Sequence, residues 1–117
     1  MNFPRDYMSP KEALLSVREA VEKLGDSKAI YSFYLEFSRG LEVLKLVEKY
    51  CKLGGLVLDL DAQPFILSGT LKKMGYRAIA FDIASEPYIR VAEVLGVEVI
   101  KADLEKDELN IFNVFNV

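Results

Sequence analysis

The chain has 117 residues, 51% hydrophobic and 28% charged, with a net charge of -3. That length suits one domain with a core of its own. The scattered Lys and Arg lack the basic footprint of a nucleic-acid-binding protein, and no apolar stretch approaches the roughly 20 residues that span a bilayer. Histidine is absent, which removes the usual general base and the commonest metal ligand, so neither a triad nor a metal site is expected. The single cysteine, Cys51, cannot make an internal disulfide, and no signal-peptide pattern heads the chain. A cytoplasmic setting is the expectation.

Ser9-Pro10-Lys11-Glu12 predicts a helix start, with Ser9 as N-cap, Pro10 in first position and Glu12 reaching back. Ala13, Leu14, Val17, Ala20, Val21 and Leu24 then recur at helical spacing until Gly25. Asp26 or Ser27 can cap a second helix carrying Ile30, Tyr31, Phe33, Tyr34 and Phe37, with a bend or break expected at Arg39-Gly40. A third stretch places Leu41, Leu44, Val47 and Cys51 on one face before Gly54-Gly55. The aromatic cluster at this spacing reads as core or interface before ligand pocket, and Cys51 reads as a buried, inert thiol. No linker separates residues 1–54 from residues 55–117, so a single domain over 1–117 is expected.

Residues 55–117 change period. Three short apolar runs, Leu56 to Leu60, Arg77 to Asp82 and Val97 to Asp103, each carry an Asp at or near their end: Asp59, Asp82 and Asp103. Helix-like segments, Pro64 to Met74 and Glu86 to Leu95, lie between them and stop at Gly75 and Gly96. Alternation of this kind predicts right-handed βαβ crossovers and a parallel α/β sheet, with ligands favoured at its carboxyl edge. The tail Ile111-Phe-Asn-Val-Phe-Asn-Val reads as the start of a fourth strand, giving about four strands in the order 3-2-1-4.

The segments Gly55-Leu-Val-Leu-Asp-Leu-Asp-Ala-Gln-Pro-Phe, Lys-Met-Gly-Tyr-Arg-Ala-Ile-Ala-Phe-Asp-Ile and Gly-Val-Glu-Val-Ile-Lys-Ala-Asp-Leu-Glu carry a resemblance. Over roughly residues 41 to 110 the chain resembles the cofactor-binding half of a class I S-adenosylmethionine-dependent methyltransferase, whose fold is a Rossmann-like, doubly wound sheet. The resemblance implies S-adenosylmethionine as cofactor. It places Asp59, Asp61, Ala62 and Gln63 in the turn around the methionine part, Asp82 and Ile83 at the ribose, and Asp103 and Leu104 at the adenine. The family's turn is glycine-rich, whereas this one carries Asp61 and Gln63, with Phe65 near the place of a third glycine. Those side chains fill space, and Asp61 adds a like charge near the cofactor carboxylate. Weak or lost binding is therefore expected. The strands that contact a methyl acceptor in the family have no counterpart here, so a truncated form, inactive alone, is the expectation.

Each acid also has a plainer reading. Asp59 can serve the turn or cap a helix, Asp82 can cap the helix near Glu86 beside Ser85, and Asp103 can cap the acidic stretch Leu104 to Glu108. Two other functions stay open: a nucleotide- or NAD-sensing module, although no G-x-G-x-x-G is present, and a ligand-free interaction protein. A homodimer is expected, through the uncharged C-terminal segment as an edge strand, the aromatic helix, or both.

Overall fold

The computed structural model describes residues 7–60, 62–83, 86 and 88–103. Helix α1, Pro10–Leu24, starts with the expected capping box: Ser9 Oγ accepts from the Glu12 N–H while Glu12 accepts from the Ser9 N–H. It ends at Gly25, whose φ of 75° is the left-handed conformation glycine tolerates best. Helix α2, Ser27–Tyr50, is capped by Asp26, which accepts from Lys28 N–H and Ala29 N–H at 3.0 and 3.1 Å.

The expected break at Arg39-Gly40 does not occur, and α2 runs through as one helix of 24 residues. The apolar series Phe33, Phe37, Leu41, Leu44, Val47 keeps its phase across Gly40 and packs into the main core. A mid-helix glycine costs about 1 kcal/mol, less than the roughly 1.5–3 kcal/mol from burying a single Leu or Phe. Cys51 is also corrected. It caps the C-terminus of α2 and is exposed, because the chain leaves the helix there.

Strands β1 (Leu56–Leu60), β2 (Arg77–Asp82) and β3 (Glu98–Lys101) alternate with α3 (Ile66–Lys73) and α4 (Ile89–Leu95). Both intervening helices are shorter than the sequence suggests; α3 begins only after the turn around Pro64. The chain is thus α/β, with four helices and a parallel sheet of three strands among the described residues. Among the described residues the sheet has three strands where about four were expected; their order, β1-β2-β3 with β2 central, is the 3-2-1 part of the expected 3-2-1-4. Residues 111–117, expected as a fourth strand, lie outside the described residues.

Alternation along the strands sorts their side chains by face. Val57 and Ala78 join the core built by α1, α2, α3 and α4, and Ala80 and Val99 pack with Ala62, Phe65 and Ala92. On the other face Leu58, Ile79, Phe81, Ile100 and Ala102 form a separate cluster that no described helix enters. The helix layer therefore lies on one face, and it brings α2 over the carboxyl edge beside β1.

Candidate functional site

The turn from β1 to α3 is built from both sides by carboxylates. Asp59, next to the last residue of β1, accepts a 2.6 Å hydrogen bond from Ser68 Oγ in the first turn of α3. Asp82, the last residue of β2, accepts from the Gln63 N–H at 2.9 Å. Between them Ala62 N–H donates to Phe81 O and Phe65 N–H to Ala62 O, closing a tight turn with a cis Gln63–Pro64 peptide. The Gln63 side chain donates onward to Glu86 O at 2.9 Å. Phe65 ends the turn at φ 69°, the conformation glycine would adopt there, and its ring is fully buried.

The two carboxylates are near enough to affect each other. Burial pushes the Asp59 carboxyl above its ordinary range; the Ser68 hydroxyl pulls the other way, and the negative charge of Asp82 adds to the rise. The local potential is thus negative. A ligand placed here gains by bringing hydrogen-bond donors or positive charge.

Beside the turn opens a cleft of about 640 Å³, within the range of small-molecule sites. One wall is α2, with Phe33, Leu35, Arg39 and Val43; Asp59, Ala62, Gln63 and Pro64 line the cleft from the turn, and Tyr88 lines it as well. Of the residues expected at a site, the cleft gathers Asp59, Ala62 and Gln63. Asp82 stands behind the turn, only 8% exposed, and reaches the site through Gln63. Ile83 is exposed after β2, and neither it nor Asp103 lines the cleft. Asp82 does not cap α4, whose N-cap is Tyr88 without a side-chain bond. Asp61, Leu104 and Ser85 lie outside the described residues.

Sequence reasoning missed Ser68, Tyr88, Arg39 and Val43. A hydroxyl in the helix after the first acid was the only available signal for Ser68. Of the aromatic cluster weighed as core or interface before ligand pocket, Phe33 and Phe37 do line the cleft, while Tyr31 and Tyr34 do not.

Among the described residues no group of three or more His, Cys, Asp or Glu is placed to hold a metal ion. Nor is any described helix long and apolar enough to cross a membrane. Fold and site together define a parallel α/β protein with a ligand-sized cleft at the carboxyl edge of its sheet. No family model, curated protein or solved structure matches the chain.

Proposed function

We propose that the chain is a methyltransferase-like, Rossmann-like module that holds S-adenosylmethionine weakly and does not transfer a methyl group by itself. The observation that carries this reading is the convergence of Asp59 and Asp82 on the β1–α3 turn, beside an open cleft. A carboxylate presents about four acceptor sites, so the bond from Ser68 does not exhaust Asp59, which lines the cleft. Asp59 on the cleft wall suits the ammonium or the ribose hydroxyls of S-adenosylmethionine, and Asp82 behind the turn adds its charge, so that the two carboxylates together favour the sulfonium. They oppose the diphosphate of a dinucleotide, which favours this ligand over NAD.

Weak affinity is a consequence of the same geometry. Both carboxylates already hold protein donors, and the turn presents Gln63 and Pro64 where bare backbone would approach a ligand more closely. Calorimetric titration with S-adenosylmethionine, S-adenosylhomocysteine and NAD tests the reading. The first should bind with a dissociation constant weaker than about 10 μM, under about 7 kcal/mol, and tighter than the uncharged thioether. Asp82→Asn keeps an acceptor for Gln63 N–H but loses the charge, and should weaken binding several-fold more than Asp103→Ala. No saturable heat at millimolar ligand, or tighter binding of NAD, would overturn the proposal.

A further inference from the structure

Helix α2 exposes large apolar side chains along one side: Tyr31 is 68% exposed, Leu35 66%, Leu46 56% and Tyr50 73%. At 3.6 residues per turn these positions fall within about 100° of arc, and Arg39 and Glu42 lie inside the same arc. The stripe runs about 29 Å along the helix. No described element packs on it; the buried residues of α2, Ala29, Phe33 and Leu44, lie on other sides. Stripes of this kind on a folded surface mark interaction sites.

The spacing within the stripe identifies the partner. When α2 is laid antiparallel on a second α2 about a two-fold axis between Gly40 and Leu41, Tyr31 falls opposite Tyr50 of the other copy. In the same register Leu35 falls opposite Leu46, and Arg39 opposite Glu42. Each of these apolar residues meets an apolar one and Arg39 meets an anion, while Lys49, at the edge of the same arc, falls opposite Ser32. Self-complementarity is what an isologous contact requires, since each residue must suit its symmetry mate. Among the described residues Arg39 pairs with Glu36 alone, an exposed contact at 3.7 Å, so exchanging it for Glu42 of a second copy costs little.

We infer that α2 is a homodimer interface in which two copies pair antiparallel about a two-fold axis near Gly40-Leu41. The partner is a second copy of this chain, and the Arg39–Glu42 pairs at the centre set the register. Leu35 and Arg39 also line the cleft, so the second copy would stand beside its mouth; dimer mass, read without ligand, tests the contact separately from the affinity for S-adenosylmethionine.

Sedimentation equilibrium on the full chain tests it, with charge-swapped variants. The parent should show twice the 13.2 kDa chain mass at micromolar concentration. Leu35→Glu should raise the dissociation constant at least tenfold. Arg39→Glu and Glu42→Arg should each weaken the dimer, and the double swap should restore it, because the central pairs re-form with signs reversed. Circular dichroism on each variant separates lost pairing from lost folding. A monomer at high concentration would overturn the proposal. So would a dimer indifferent to Leu35→Glu, which would place the contact elsewhere, residues 111–117 included. A double swap no better than the single ones would overturn the register and with it the proposal.

Discussion

Asp59 shows how one side chain can serve a site and weaken the fold. Its carboxyl is raised chiefly by burial, so the ionised form is less comfortable in the folded chain than in the unfolded one. For a carboxylate with a raised folded value, the cost is fully present above that value. It is relieved as pH falls through it toward the unfolded value. Asp59→Asn keeps an oxygen to accept from Ser68 and removes the buried charge. It should melt at a higher temperature than the parent at neutral pH, the gap closing as pH drops into the ordinary carboxylate range. A variant less stable at every pH would show that the charge itself is needed, held by donors stronger than Ser68. The Asp residues were legible in the sequence as endings of apolar runs. Their partners were not: Gln63 and Asp82 are 19 positions apart, and only the parallel register of β1 on β2 brings them together. The sequence showed a turn with side chains where glycines were expected. It could not show that Phe65 takes the left-handed conformation anyway, stabilised by the complete burial of its ring.

Helices α3 and α4 approach closely at Gly69. Gly69 sits in α3 where an added Cβ would lie 2.5 Å from Leu95 Cδ1 and 3.0 Å from Leu95 Cβ. Two helices meet here at a distance that only hydrogen allows. Gly69→Ala would gain about 1 kcal/mol of helix propensity. It would lose more, of order 1–3 kcal/mol, by forcing Leu95 out of its buried place or α3 off α4. Urea denaturation should therefore show a net loss of stability, and Leu95→Ala in the same chain should restore part of it. Were Gly69→Ala stabilising, the helices would have room that these distances deny. At this scale the sequence was a good guide where period and caps agreed. Strands β1 and β2 fall on the expected residues, and α1 has the expected capping box. It misled at Gly40, where a local breaker outweighed the unbroken apolar phase of Phe33, Phe37, Leu41 and Leu44. Helix continuity there is decided by packing against α1 and α3, which no local signal carries.

Taken whole, the described chain has its helices on one face of the sheet and an apolar cluster on the other, and its thinnest extent, 22 Å, fits two layers. Parallel sheets are normally covered on both faces. The second face is not uniform. Ile79 and Phe81 on the central strand are 2% and 1% exposed, whereas Leu56 on β1, on the same face, is 46% exposed. That contrast makes the face a core at its centre and a surface along β1. The difference is measurable. Ile79→Ala removes a buried side chain and should cost about 2–5 kcal/mol. Leu56→Ala removes one that is already half in water, and should cost well under half as much. Equal small losses would mean that water reaches the whole second face and that the fold rests on the helix side alone. Equal large losses would mean that β1 is covered as fully as β2, with its edge closed to any partner. Because neither side chain touches the cleft or the α2 stripe, ligand affinity and dimer mass should stay at parent values in both variants. The cost on the second face can then be read as stability alone.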